Sequence, residues 1–433
     1  MPPAVPSTIF PVEERFVNVI RETTPGTIPA GTGTTFPVEK FEPEDKPMWL
    51  PDNSLRGSMS EGYYDLLQGP VIADTSVGGP VYVDMIGHPL YSILGDYTQS
   101  APTTTPATTL TAPAAPGATT LTVASGTSFT VGMQILVGAV GSQEIVTVLS
   151  GASTTITLNT ATPIRIAHAS SATVTNTTVA AGTYQHIFTQ LNSTFIANGN
   201  FQNFGQPPTH TWTDRTQVPA TGLARQYAFA CFSALNLIGN AEKLLMWDGA
   251  FTSFIGQIPG SAPTASVSSV RAFPDFNTTA QIATSGALAA VFNISEYTVG
   301  LKRKVEPFFD NDGTQNPYTI GRGGFSTEGK LVFAPATDET ALLYMLNNTQ
   351  PQLQLLTTNG LLTTNPLYQA VQIDIPLAAY DTSKISASRS LFGYDVGFKA
   401  IETATTRNSV VPVGWSGGYS PVKVTVSNAV PIF

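Results

Sequence analysis

Charge is what this chain is shortest of. Asp, Glu, Lys and Arg make up 11% of its 433 residues, under half the share of about 25% usual in a soluble protein. So few charges cannot solvate a large free surface, which favours a subunit that hides much of itself in an assembly. Basic residues are the scarcer sign, 20 against 29 acids for a net charge of −9; a sequence-wide basic surface for wrapping nucleic acid is excluded. Cysteine is nearly absent. The single Cys231 rules out an intrachain disulfide framework, and its apolar neighbours mark it as a small buried hydrophobe. No apolar run approaches membrane-spanning length, and Met1 to Pro6 has neither a basic nor an apolar leader segment. The expectation is a chain that stays in the cytoplasm where it is made, without a membrane partner.

What is abundant is turn chemistry, with 37 Gly and 33 Pro. Together with many Thr- and Val-rich runs it predicts an all-β fold with a few short helices. Residues 1–35 read as an extended N-terminal arm. Residues 36–100 with 183–260 read as a first β-sandwich or barrel domain, 261–284 as a linker and 285–433 as a second such domain. Between them, 101–182 carries only Glu144 and Arg165 as charges. It starts as a Pro/Thr linker and continues as short strands at regular spacing, an inserted small β domain.

The central feature is a long hairpin from Arg225 to Gly256. Tyr227, Phe229, Cys231, Leu235 and Leu237 are expected on one face, Gly239-Asn240 at the turn, and Asp248-Gly249 at a second reversal or bulge. A second long hairpin is expected from Leu391 to Ala429, where Tyr394, Val396 and Phe398 alternate with Asp395, Gly397 and Lys399, and Val422, Val424 and Val426 with Lys423, Thr425 and Ser427. Two strand-plus-helix passages stand before them. In one, Pro89 opens and Gly95 stops a helix; in the other, Thr337-Asp338-Glu339 opens a helix with Leu342, Met345 and Leu346 on one face. The same order of elements thus occurs twice, and it predicts an architectural duplication.

Motifs that could carry chemistry are incomplete. Gly414-Trp415-Ser416-Gly417-Gly418 fits a nucleophile elbow, yet no His follows it. Gly324 to Lys330 imitates a phosphate loop, but Leu331 stands where a hydroxyl would hold magnesium, and a hairpin loop is expected there. Asp310-Asn311-Asp312-Gly313 opens like a calcium loop and lacks the later ligands. The four histidines, His88, His168, His186 and His210, have no partner at metal-ligand spacing. The expectation is no catalytic, cofactor-binding or metal residue: not an enzyme.

Ala224-Arg225-Gln226-Tyr227, Leu235 to Glu242 and Leu245-Met246-Trp247-Asp248-Gly249 resemble the tail tube (major tail) proteins of long-tailed bacteriophages. Arg56-Gly57-Ser58-Met59 followed by Val81 to Gly95, and the closing Val424 to Pro431, are similar to the same group. Gly117 to Val174, with Glu144 to Val148 and Ala167-His168-Ala169, resembles small β modules that decorate phage surface and tail proteins. The resemblance implies tail-tube-like domains and a virion protein of the tail, made in the host cytoplasm. Its subunits would stack as rings around an inner β-barrel that DNA passes without specific binding, and other tail proteins would be its partners. Six-fold inner barrels are the family rule, so a duplicated chain would close one as a trimeric, pseudo-hexameric ring, with a true hexamer as the alternative. Asp395, Lys399 and Lys423 would then face the lumen or a neighbouring hairpin. An acidic subunit suits a conduit, because each Lys or Arg contact to phosphate releases counterions and holds the DNA. Alternative readings are a cell-surface adhesin or carbohydrate-binding β protein, and a capsid decoration protein.

Overall fold

The computed structural model describes residues 15–31, 33–54, 64–100, 107–138, 144–160, 163–176, 184–190, 206–216, 224–258, 265, 270–284, 289–291, 294–311, 313–333, 340–358, 369–388, 391–402, 420–428, 430 and 433. The fold is all-β. In chain order come β1 (Arg15–Arg21), β2 (Thr34–Phe36), β3 (Lys40–Asp52), β4 (Asp65–Pro80), α1 (Gly87–Leu94) and β5 (Gly95–Ser100). Six short strands follow: β6 (Ala107–Thr109), β7 (Thr120–Thr122), β8 (Gln134–Val137), β9 (Glu144–Ala152), β10 (Thr155–Leu158) and β11 (Thr173–Asn176). The body resumes with β12 (Tyr184–Gln190), β13 (His210–Thr216), β14 (Ala224–Asn240), β15 (Met246–Ser253), β16 (Thr278–Ala283), β17 (Ala289–Val291), β18 (Ile294–Phe308) and β19 (Thr319–Phe333). It closes with α2 (Thr340–Leu346), β20 (Gln352–Thr358), β21 (Ala370–Ile375), β22 (Ala378–Ser388), β23 (Leu391–Ala400) and β24 (Lys423–Asn428).

An eleven-stranded sheet, curled into a half-barrel, and a seven-stranded sheet form the body. The half-barrel contains one continuous path of eight antiparallel strands, β3-β4-β15-β14-β18-β19-β23-β22. The N-terminal half of β14 bends away to pair with β13, which leads to β1 and β2. The second sheet runs β17-β16-β20-β21-β24-β12-β5. One hydrophobic core joins them, from Val17 and Val19 through Leu235, Trp247, Val299 and Leu331 to Val424 and Val426. The two expected domains, 36–100 with 183–260 and 285–433, therefore share a single core. Its densest part is aromatic: Phe36 lies 5.4 Å from Trp212 and 5.2 Å from Trp247, and Trp212 stacks on Phe251 at 5.5 Å. Burying one such side chain contributes about 2–3 kcal/mol.

Residues 107–176 form a separate six-stranded sheet, β6-β11-β8-β9-β10-β7, around its own cluster of Leu121, Ile135, Val146, Ile156 and Val174. The bridge Leu110↔Val123 rejoins the β7 end to the β6 end, closing a small barrel. The stretch expected as a Pro/Thr linker already belongs to it, since β6 pairs with β11 and Leu110 and Ala114 are buried. Chain entry and exit are neighbours: β5 and β12 pair from Gln185↔Ser100 to Gln190↔Gly95.

Several local expectations change. The arm is anchored from Arg15 onward, because β1 alternates Val17 and Val19 into the core. Glu22 then ties it down by accepting the N–H of Gly26 and the hydroxyls of Thr209 and Thr211 at 2.6–2.7 Å. The presumed linker 261–284 contributes Phe273 to the core and β16 to the second sheet. At the end of β14, Gly239 is a strand residue on which the Tyr297 ring lies, and the turn is at Ala241-Glu242. Asp248 and Gly249 pair regularly with Asn236 and Leu235. The face of β14 switches twice. An extra residue at Ala228-Phe229, with Phe229 at φ 57, and another at Ser233 rotate the alternation. Tyr227, Phe232, Leu235 and Leu237 thus enter the main core, whereas Phe229 and Cys231 pack with Ile320 on the other side. The expected hairpin Leu391–Ala429 does not exist as such, for β23 lies between β19 and β22 while β24 lies between β21 and β12 in the other sheet. In α2 the packed face is Ala341, Tyr344 and Met345, and Leu346 is 67% exposed. The expectation for α1 holds: Gly95 ends it at φ 89.

Candidate assembly face

The eight-stranded path is a four-stranded unit used twice. β3-β4-β15-β14 and β18-β19-β23-β22 have the same order and the same chain connectivity: a long hairpin, a helix, then a second hairpin whose returning strand pairs with the first hairpin. Their irregularities coincide as well. In β3–β4 the register jumps at Met48 opposite Gly69-Pro70, and in β18–β19 it jumps at Lys304 opposite Gly323-Gly324. In β14 the extra residue is Ser233, beside the Phe232↔Phe251 pair; in β22 it is Asp381, beside Tyr380↔Phe398. Bulges bend a strand and fix its register, so four matching bulge strands mean two matching backbones. The side chains have diverged almost everywhere else, with Asp248 and Asp395 among the few kept.

One face of this sheet is apolar and buried: Phe41 and Val77 in the first unit, Tyr297, Val299, Leu331 and Val396 in the second. The other face is a lattice of exposed lysines and carboxylates. Lys330 meets Asp395 at 2.6 Å, Lys399 meets Asp381 at 3.3 Å, Lys302 meets Glu328, and Lys46 meets Asp74 at 3.0 Å and Glu44 at 3.2 Å. Exposed pairs of this kind contribute little stability, about 0–1 kcal/mol each. Their effect is on what the surface offers to others. Each of these ammonium groups is already occupied.

Of the three residues expected on a lumen or hairpin face, Asp395 and Lys399 lie on this lattice, on β23. Lys423 does not. It is 6% exposed, and its ammonium sits 3.1 Å from Asp374, itself fully buried, inside the seven-stranded sheet. Asp374 also accepts from Gln354 at 2.6 Å and Gln372 at 2.9 Å. Alternation alone placed Lys423 outward; the strands that flank it, β21 with Asp374 and β12, come from distant parts of the chain.

Arg303 carries a function that alternation also missed. It is 7% exposed and holds the C-terminal carbonyls of α1, Nε to Ile93 O at 2.6 Å and Nη2 to Leu94 O at 3.2 Å, with Nη1 on Gly323 O. Burial and the neighbouring Arg322 guanidinium push its pKa down to about 10, so it stays a cation at the negative end of the helix dipole.

Two hairpin ends project apolar side chains. Met48, Trp49, Leu50, Leu66 and Leu67 at the β3–β4 tip are 44–58% exposed. The β18–β19 connection reaches β4 of the first unit, where Gln315 O accepts Val71 N–H at 2.9 Å. Phe308 and Tyr318 there are 52% and 71% exposed.

The chemistry-bearing motifs do not assemble. Gly324 to Lys330 lies within strand β19, beginning in its bulge, and Gly313 turns at φ 82. Gly414 to Gly418 lies outside the described residues. Among the described residues no three of His, Cys, Asp and Glu converge to hold a metal, and no helix is long and apolar enough to cross a membrane. His168 bonds Glu144 at 2.7 Å, and His186 sits between Tyr97 and Asn428. No protein-family profile matches this chain, and no curated protein matches it.

Proposed function

We propose that this chain is a structural subunit of a phage-type tail tube, which assembles as rings around a β-walled channel. The observation that carries the reading is the doubled four-stranded unit. The sheet repeats its own unit along one direction and ends, among the described residues, with one edge strand of each kind, so a further unit would continue it at the β3 edge and at the β22 edge. Closing such an arc on itself around a ring removes both edges. Each chain brings two units, so a ring of six units takes three chains.

In this assembly the Lys–carboxylate lattice lines the channel. Lysines held by carboxylates offer phosphate few free cations, which lets DNA pass without being retained. The exposed apolar β3–β4 tip gives the next ring of the stack a surface to cover. The closed barrel 107–176 is an added module, and its role is not part of the tube.

Native mass spectrometry of the purified chain, with a cross-section of any tube by electron microscopy, tests the proposal. Rings of three chains with pseudo-six-fold symmetry are expected. Six chains per ring would defeat the doubled-unit argument, and a protein that stays monomeric at all concentrations would defeat the tube reading. Replacing Met48, Trp49 and Leu50 by Ser should leave rings that no longer stack.

A further inference from the structure

Within the chain the two units are joined by β14 and β18, in the register Ala234↔Lys302, Leu235↔Leu301 and Asn236↔Gly300. The matched bulges say which residues of the outer edges occupy the same places. Ser233 and Asp381 are equivalent, so Ala234, Leu235 and Asn236 correspond to Thr382, Ser383 and Lys384 on β22. Lys304 and Met48 are equivalent, so Lys302, Leu301 and Gly300 correspond to Lys46, Asp45 and Glu44 on β3.

We infer that copies of this chain join head to tail through β22 of one and β3 of the next, in the register that β14 and β18 keep inside the chain. The joint rests on the ring reading above and specifies its chemistry. Thr382 then lies opposite Lys46 of the next copy, Ser383 opposite Asp45, and Lys384 opposite Glu44. Lys384 and Glu44 are both exposed in the single chain, and a cross-strand pair of opposite charge is favourable where two like charges would repel. Glu44 already holds Lys46 at 3.2 Å, so in the joint it bridges two lysines.

The same edge explains why the chain does not add strands indiscriminately. Val71 donates its N–H away from β3, to Gln315 O, so in the Pro47↔Val71 pair both backbone nitrogens point out of the β3–β4 ladder. Pro43 has the same phase, and both prolines therefore put a nitrogen without hydrogen on the free edge. A generic strand loses ladder bonds there. Only a partner that makes up the loss with matched charges is retained, which leaves recognition to Lys384 and Glu44.

The phase also selects the test. Pairs 44–384 and 46–382 are the non-hydrogen-bonded pairs of the joint, whose side chains stand closest and suit a disulfide. The full-length variants Lys46→Cys and Thr382→Cys, which leave Glu44 and Lys384 in place, should each alone give no covalent dimer on mild oxidation; mixed, they should give a dimer, because the joint is heterologous. The double variant should give covalent ladders that stop at the ring. Native Cys231 is buried and does not interfere. Charge provides a second readout: Lys384→Glu should weaken ring formation several-fold, and adding Glu44→Lys should restore it. Rings that form without a 46–382 cross-link, or cross-linking within a single-cysteine variant, overturn this joint while leaving the ring reading in place. Absence of any assembly removes both.

Discussion

Glu22 accepts the backbone N–H of Phe229 at 2.8 Å, and Phe229 stands in the left-handed region at φ 57. A large aromatic residue adopts that conformation only when its surroundings over-determine it. Here the carboxylate, which also receives Gly26, Thr209 and Thr211, sets the bulge that turns Phe229 out of the main core. Glu22→Ala leaves four donors facing an apolar space, and we expect a loss of about 3–5 kcal/mol in urea unfolding. Phe229→Gly, which relieves φ but removes the ring, should separate strain from packing. An unchanged midpoint in Glu22→Ala would show that the turn holds itself.

Acid should loosen the fold through two buried histidines. His88 and His210 meet edge to face at 5.4 Å beside Arg21, and burial lowers His88 to about 4 and His210 well below its ordinary value. Both folded pKa values are depressed relative to about 6.5 in the unfolded chain, so the unfolded state takes up protons first as pH falls. The stabilisation is complete above pH 6.5 and is lost progressively toward pH 4, about 3 kcal/mol for His88 alone. Urea midpoints should fall across that window, and fall less steeply in His88→Leu, where His210 still contributes. A pH-independent midpoint between 7 and 4 refutes it.

Lys423 and Asp374 should behave as a buried pair and not as a channel contact. Removing one partner strands the other charge: Lys423→Met is expected to cost about 3–5 kcal/mol, and Asp374→Leu in the same chain to recover most of it. Ring formation by the refolded double variant should match that of the native chain. A Lys423→Met protein of native stability would place the side chain in water after all.

The small barrel should be removable. Because Ser100 pairs with Gln185, a two-residue Asn-Gly turn joining Ser100 directly to Gln185 converts β5 and β12 into a hairpin without changing their register. The shortened chain should unfold cooperatively with a midpoint close to the parent, and residues 107–176 should fold alone by circular dichroism. A body that no longer folds would tie the module to the main core.

The strands and α1 were legible because their signals are local: alternation at Val17 and Val19, a proline in the first turn of α1, a glycine at its end. The partnership of strands was not. β23 and β24 both alternate cleanly and look like two arms of one hairpin, yet β24 is drawn into the other sheet by β21 and β12. Nothing in residues 391–429 encodes that choice. Phe229 was misplaced for a related reason, since one extra residue inverts every later face and a bulge leaves little trace in composition. On the candidate face, Asp395 and Lys399 could be read from alternation, whereas Arg303 could not, because its partners are carbonyl oxygens.

The Arg303 contact also sets a timetable. The carbonyls of Ile93 and Leu94 are synthesised some two hundred residues before the guanidinium that holds them, and at about 5–20 residues per second the wait lasts roughly ten to forty seconds. Until then α1 ends without its cation and β14 has no β18 beside it. A ribosome stalled before residue 303 therefore exposes a first half whose helix end is open and whose β14 edge awaits β18.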